Sequence, residues 1–339
     1  FVLPNLQSSN SQKDSNGNFI PFFPGNGYVN EYQNPLYLAN TVKNDREDRR
    51  FIGGITANYT FTDEFSFTTS ISLDRNSFYY RNLFPKGFDS GSQPNANLDD
   101  GFIFVRNRFT NRVNSSVQLN YQKQFGDINL RSSFRYLFED IDDELFDASS
   151  STFQTEGVET LGQGTTNISV GSALFKEKTQ NFFLTADVDW KDKIILGGLI
   201  RTDRSSLFGE NNRDQIFYRG SLAYRLGEDL DYDWIDELKL RASYGTAGLR
   251  PLFGDIFETF SVSQSGISPF QVGNPDLRSP EIGEFEAGID FNFLGKYRFS
   301  FTYADSKTKD ALITVPLSGA VPGSRQVQNV GETEYTSFE

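Results

Sequence analysis

The sequence predicts an all-β fold, a transmembrane antiparallel β-barrel, and three observations carry that prediction. Apolar and polar side chains alternate over long stretches of the 339-residue chain. The alternating segments come in pairs joined by short turns. Every second connection is instead long and rich in Gly, Ser, Asn, Asp and Pro. Successive side chains of a strand point to opposite faces, so each segment specifies a strand with one apolar and one polar surface. Short turns at one rim and long loops at the other are the layout of membrane barrels.

The first pair sets Phe51, Gly53, Ile55, Ala57, Tyr59 and Phe61 against Ile52, Gly54, Thr56, Asn58 and Thr60. It turns at Thr62-Asp63-Glu64 into Phe65, Phe67, Thr69, Ile71 and Leu73. The second runs from Val113 to Tyr121, turns at Gly126-Asp127 and continues through Ile128, Leu130, Phe134 and Tyr136. The third sets Phe182, Leu184, Ala186, Val188 and Trp190 against Thr185, Asp187 and Asp189, and turns at Lys191-Asp192 into Ile194 to Arg201. A fourth joins Tyr218, Leu222 and Tyr224 to Leu238, Leu240, Ala242 and Tyr244. The fifth, Glu284 to Asp305, is the clearest: Phe285, Ala287, Ile289, Phe291 and Phe293 share one parity, and after Leu294-Gly295-Lys296 come Tyr297, Phe299, Phe301 and Tyr303. Gln326 to Glu339 begins another strand. The count is about eleven strands, many of about ten residues or more, against about five or six in ordinary sheets.

The long connections are Pro85 to Gly101, Asp147 to Gly171, Asp203 to Arg213, Thr246 to Pro280 and Ala311 to Ser324. Aromatic residues sit beside the short turns (Phe61 with Phe65, Tyr121 with Phe125, Trp190, Tyr224, and Phe293 with Tyr297), as in an interfacial girdle. A soluble β-sandwich or β-solenoid shares the alternation. Long strands, one-sided loops and turn-adjacent aromatics together favour the membrane barrel.

Composition narrows the function classes. The longest apolar run, Ile194 to Ile200, is far short of the roughly 20 residues of a membrane helix. The net charge of −13 argues against nucleic acid as a partner. The absence of Cys and His rules out thiol, Ser-His and His-zinc chemistry within the segment, so no enzyme activity, metal or cofactor is expected. The chain also lacks Met and begins at Phe1 without a signal-like stretch; it is expected to be a piece of a longer protein.

Few residues invite a site assignment, and none is assigned to substrate. Glu284, Glu286 and Asp290 read as lumen-facing wall residues rather than a hydrolytic carboxylate pair. On that basis Arg at Ile289 is expected to cost about 2 to 4 kcal/mol near the midplane, and Arg at Asp290 to be tolerated. The acidic run Glu139-Asp140-Ile141-Asp142-Asp143-Glu144 has calcium-type oxygen ligands but no EF-hand spacing, and reads as an exposed acidic rim where a strand meets a long loop. Gly162-Gln163-Gly164 is a loop fragment without a phosphate cradle. Phe253, Phe257, Phe260 and Phe270 offer rings to sugars, to a lid protein, or to one another.

Several tracts resemble the SusC/RagA-type TonB-dependent outer-membrane transporters of Bacteroidota. They are Asn34-Pro35-Leu36-Tyr37 followed by Arg49-Arg50-Phe51-Ile52-Gly53, read as the approach to a barrel strand; Asp192 to Arg213; Leu238 to Gly248 (LKLRASYGTAG); Gly273-Asn274-Pro275-Asp276-Leu277; Lys307-Thr308-Lys309-Asp310; and Asn329-Val330-Gly331. The chain has Arg201-Thr202-Asp203-Arg204 where the family often has Arg-Arg-Asp-Gly, and Ser279-Pro280-Glu281 where it usually continues with Trp-Glu. Arg201, Asp203 and Arg213 read as strand-end and loop-packing residues.

The resemblance implies a barrel of about 22 strands, of which Phe1–Glu339 would be a partial barrel with long extracellular loops, without the N-terminal plug and the C-terminal strands. It implies location in the outer membrane of a Gram-negative, Bacteroidota-type cell, and active import of a nutrient oligomer, an oligosaccharide or a peptide. The implied partners are a SusD-like surface lipoprotein, TonB acting through parts outside this chain, and outer-membrane lipid. The alternatives are a siderophore or cobalamin receptor of the same barrel type, and a non-transporting barrel subunit of an envelope complex.

Overall fold

The computed structural model describes residues 13–23, 32–90, 96–230, 232–252, 254–263, 266–317 and 325–339. Its strands are β1 (Phe22–Phe23), β2 (Tyr32–Gln33), β3 (Lys43–Thr60), β4 (Phe65–Phe84), β5 (Phe102–Phe125), β6 (Ile128–Phe153), β7 (Gly164–Trp190), β8 (Ile194–Ser205), β9 (Asp214–Arg225), β10 (Ile235–Gly248), β11 (Thr259–Ser263), β12 (Gly266–Val272), β13 (Glu281–Phe293), β14 (Tyr297–Lys309), β15 (Leu312–Pro316), β16 (Arg325–Asn329) and β17 (Glu332–Phe338). Among the described residues two short α-helices accompany them, α1 (Pro35–Thr41) and α2 (Ala96–Asp99). No helix among the described residues is long and apolar enough to cross a membrane.

Eleven strands form one sheet in the order β17-β14-β13-β10-β9-β8-β7-β6-β5-β4-β3, so each hairpin expected from the sequence is present and pairs with the next. Two of the short turns share a backbone solution. Lys191 and Asp192 take φ of 56° and 55°, and Leu294 and Gly295 take 56° and 64°. This is the left-handed pair that a type I′ turn requires to match strand twist. The Thr62 hydroxyl accepts from the amides of Glu64 and Phe65 (both 3.2 Å) and closes the first hairpin.

Several boundaries differ from expectation. β5 begins at Phe102 rather than near Val113, and β6 and β7 extend to Phe153 and from Gly164. The connection expected over Asp147 to Gly171 is therefore only 154–163. Asn34-Pro35-Leu36-Tyr37 does not lead straight into a strand. Asn34 caps α1, its Oδ1 accepting from the Leu36 amide (3.0 Å), with Pro35 at the start of the helix. Asn caps because its short side chain replaces a missing helical acceptor, and Pro fits where no N–H is needed.

The chain divides into two compact units. One comprises Phe1–Ile52, Asp74–Asn111 and Asp142–Phe175; the other comprises Gly53–Leu73, Arg112–Ile141 and Lys176–Glu339. The first contains a small apolar core of Leu83, Ile103 and Phe153, with Val105 and Leu161 against it. Tyr37 of α1 stacks on Phe88 (5.5 Å), and its hydroxyl accepts from the Asp89 amide, fastening the 85–101 connection.

In the second unit the register aligns the apolar residues in rows. Val188, Leu196, Leu222, Ala242, Ala287 and Tyr303 lie side by side across six strands, and Trp190, Ile194, Tyr224, Leu240, Ile289 and Phe301 form a neighbouring row. The intervening rows, on the opposite face, carry Asp187, Ser221, Ser243 and Glu286, and then Asp189 and Arg241. Aromatic rings meet beside the short turns: Phe65 with Tyr121 (4.6 Å) and Phe293 with Tyr297 (5.3 Å). Trp234, not anticipated in this belt, packs edge-on to Phe291 (6.0 Å).

Candidate functional site: the polar wall and its loop layer

On the polar face of β10, β13 and β14, part of the charge is paired across strands. Asp290 of β13 lies 3.4 Å from Arg241 and 4.0 Å from Lys239, both on β10, and accepts from the Ser300 hydroxyl (2.8 Å). The alternation that placed Asp290 on this face also placed Lys239 and Arg241 there, although neither was singled out from the sequence. Their positions overturn one expectation: Arg at Asp290 would set three cations together, which costs electrostatic energy on a half-buried wall. Ala304, opposite Glu286, is the position where an added cation meets an opposite charge. Glu284 and Glu286 face Gly245 and Ser243 on β10.

Toward the long-loop end, Arg201 and Asp203 form a bidentate pair on β8, with Asp203 buried. Arg201 also lies over the Phe183 ring (5.2 Å), so both residues pack within β8 near its end. Arg213 ends the 3₁₀ turn Glu210–Asn212 in the following connection. Arg250, just beyond β10, donates to buried Glu177 on β7 (2.9 Å) and lies 3.7 Å from Glu139 on β6. Thr179 donates to Glu139 (3.0 Å), and Ser205 to Glu177 (3.4 Å). Sequence reasoning missed this network, because Glu177 and Arg250 are far apart in the chain and neither forms a motif.

The acidic run is not an exposed rim at a loop; it lies inside β6. In the second unit Glu139 joins the Arg250 network and Asp140 pairs with Lys178 (3.0 Å). In the first unit Asp143 pairs with Arg108 (2.5 Å) and Asp147 with Arg106 (2.7 Å). These carboxylates balance neighbouring cations, and no group of three or more potential metal ligands occurs among the described residues. Gly162-Gln163 belongs to a 3₁₀ turn, and Gly164 opens β7 where a Cβ would fall 2.3 Å from Ser150. Close approach of strands explains that glycine.

Above this wall the two longest connections fold on each other. The first supplies β11 and β12, the second β15 and β16, and together they form a four-stranded sheet in the order β11-β12-β16-β15. The Gly273-Asn274-Pro275-Asp276-Leu277 tract joins them. Asn274 donates to the Val327 carbonyl (2.9 Å), and Asn211 and Asn212 donate to Asp276 (2.7 and 2.8 Å). The Gly209 amide donates to the carbonyl of fully buried Leu277 (2.9 Å). A Cβ at Gly209 would lie 2.2 Å from the Pro275 oxygen, so no other residue fits there without displacement. Beside the tract is an amide-rich recess of about 530 Å³ that includes Asn212, Asp276, Gln326 and Gln328. Phe257 and Phe260 are exposed; Phe253 and the side chain of Phe270 lie outside the described residues.

A long-stranded sheet with a mainly apolar face, a charged opposite face, an aromatic belt at the short turns and elaborated loops at the other end defines a transmembrane β-barrel of the outer-membrane type. The family model described as TonB dependent receptor-like, beta-barrel matches residues 3–339, and the chain belongs to that family. Members of the family are receptors and transporters rather than enzymes.

TonB-dependent receptor P3 of Formosa agariphila is 25% identical over 329 residues, which cover 93% of this chain and 32% of the receptor. Receptor P39 of the same organism is 28% identical over 331 residues, covering 90% and 30%. The chain thus spans about a third of the length of the curated relatives it matches. Among solved structures, the RagAB peptide transporter aligns with a TM-score of 0.80 at 20% identity, over 95% of this chain and 37% of that chain. The ferric-catecholate import receptor Fiu of E. coli K12 aligns with a TM-score of 0.53 at 12% identity, over 86% and 44%.

Proposed function

We propose that the chain forms part of the barrel of an outer-membrane, TonB-dependent importer of a nutrient oligomer, a glycan or a peptide, and that its long connections face the cell exterior. The observation that carries this reading is the pairing of a charged polar wall, part of it ion-paired, with a loop layer built from two separate connections. A charged, polar wall suits passage of a polar, flexible solute, and a structured loop layer supplies selective contacts at the mouth. The resemblance to SusC/RagA-type transporters adds a SusD-like surface lipoprotein over the loops and TonB acting through parts of the protein outside this chain.

The closer fold match to a peptide importer than to a ferric-catecholate receptor supports the oligomer reading over a siderophore one. The decisive experiment is uptake of labelled oligosaccharides and peptides by cells carrying or lacking the full-length gene, with and without a functional TonB complex. Loss of oligomer uptake in both deficient strains is the expected result. Unchanged oligomer uptake together with lost ferric-siderophore uptake sinks the proposal.

A further inference from the structure

We propose that a cleft on the apolar side of β3, β4 and β5 binds the phosphorylated headgroup of an outer-leaflet lipid; the inference rests on the outer-membrane reading above. The cleft, of about 360 Å³, is lined by Phe51, Arg75, Ser77, Phe109 and Asn111, with Arg49 beside them. Its face is fixed by side-chain bonds. Arg50 pairs with Asp74 (2.8 and 2.9 Å) on one side of the sheet. Their chain neighbours Phe51 and Arg75 therefore lie on the other. Arg75 donates Nε–H to Asn111 of β5 (3.0 Å), which places Asn111, and Phe109 two residues before it, on that same side. On β4, Arg75 continues the parity of the apolar residues Ile71 and Leu73.

Three features make this a lipid site rather than ordinary surface. Phe51 and Phe109 are 61% and 52% exposed, so two large rings flank the cation. Arg75 has no ion-pair carboxylate among the described residues, in a chain of net charge −13. Its neighbours Arg49 and Arg50 do have one each, in Glu47 and Asp74. The third feature is depth. Arg75 stands eleven residues beyond Glu64, the last residue of the short turn; at about 3.3 Å per residue and a strand tilt near 40° that is about 28 Å along the membrane normal. The apolar band of such barrels is about 25 Å tall, so Arg75 falls at the outer interface, at the level of lipid phosphates. A guanidinium keeps several N–H donors after one is spent, and its fork matches a phosphate. The adjoining rings suit the upper part of acyl chains.

The test uses full-length protein purified in detergent, with diphosphorylated lipid A as probe and native mass spectrometry as readout. The expected result is a retained lipid A adduct that weakens about tenfold in Arg75→Gln, the loss of one charge-assisted pair. Partial recovery is expected in Arg75→Lys, and no change in Lys296→Gln, in the short turn between β13 and β14. Arg75 is exposed, so the variant is expected to fold; recovery from the outer-membrane fraction checks this. Equal retention by wild type and Arg75→Gln overturns the proposal. So does equal binding of dephosphorylated lipid A, or displacement of the lipid by millimolar inorganic phosphate, which would mark a small-anion site. Absence of the wild-type protein from the outer-membrane fraction would instead sink the parent reading.

Discussion

Within the second unit, the short-turn rim and the loop layer are held together in opposite ways. At the rim each connection is tied to the next by a backbone amide: Gln122 donates to Glu64 (2.8 Å), Lys191 to Asp127 (2.9 Å), Arg225 to Lys193 (2.9 Å) and Leu294 to Trp234 (2.9 Å). Ion pairs follow the same path, Lys123 with Glu64 and Lys191 with Asp127. The loop layer is joined at a few points between segments distant in sequence, by the short β12–β16 pairing and by side chains such as Asn274 and Asn329. A chain of equivalent local ties tolerates the loss of one. A layer joined at a few points does not, and that is the cost of a surface free to vary in sequence.

The largest expected effect follows from that difference. Truncating fully buried Leu277 to Ala should destabilise the loop layer by about 2 to 5 kcal/mol, through lost burial and the cavity left behind. Limited proteolysis of the full-length protein should then cut 249–280 rapidly while the rim stays resistant. Equal resistance of wild type and variant would mean that the layer is not joined at Leu277. Next in size is a contrast across one wall. Ile289 stands five residues before Leu294 at the short turn, about 13 Å along the normal and so near mid-membrane by the same rise and tilt. Ile289→Arg should cost about 2 to 4 kcal/mol in barrel assembly, whereas Ala304→Arg, opposite Glu286 on the polar face, should be tolerated. Heat-modifiable gel migration of the two variants measures this, and similar behaviour would break the assignment of faces.

The rim and the rows of the sheet were legible in the sequence, for a physical reason: alternation has a period of two, and a wrong register would turn every side chain to the other face. Phe285 to Phe293 and Tyr297 to Tyr303 specify their pairing without help from elsewhere. The upper strands were less legible. Arg106 and Arg108 interrupt the apolar pattern, and their partners Asp147 and Asp143 lie on a different strand. Read one strand at a time, such residues look like a loop edge or an acidic rim; read across the sheet, they are a cross-strand ladder. The loop layer was legible only as motif. Gly273 to Leu277 stood out as a family tract, but what it clamps depends on Asn211, Asn212 and Val327, which no local rule joins to it.

The smallest expected effect belongs to the rim and tests its redundancy. Asp229, in the 3₁₀ turn after β9, accepts hydrogen bonds from Lys193 and Tyr224. The Lys193 bond, then the Tyr224 bond, hold its carboxyl below the usual 3.8, and the same Asp229 contact raises Lys193 above its usual 10.5. A depressed carboxyl contributes stability that is present above its unfolded value and lost as pH falls through the folded one. The tie should therefore weaken below about pH 3.8. A raised lysine contributes below its unfolded value and loses that contribution as pH rises through the folded one, so the tie should also weaken above about pH 10.5. Between these limits Asp229→Asn should loosen amide-exchange protection at 226–234 only slightly, because the Arg225 amide remains bonded to the Lys193 carbonyl. Protection in the variant should lose the acid-side decline seen in the wild type. If the connection opens fully in Asp229→Asn at neutral pH, the rim is joined at single points after all, and its contrast with the loop layer disappears.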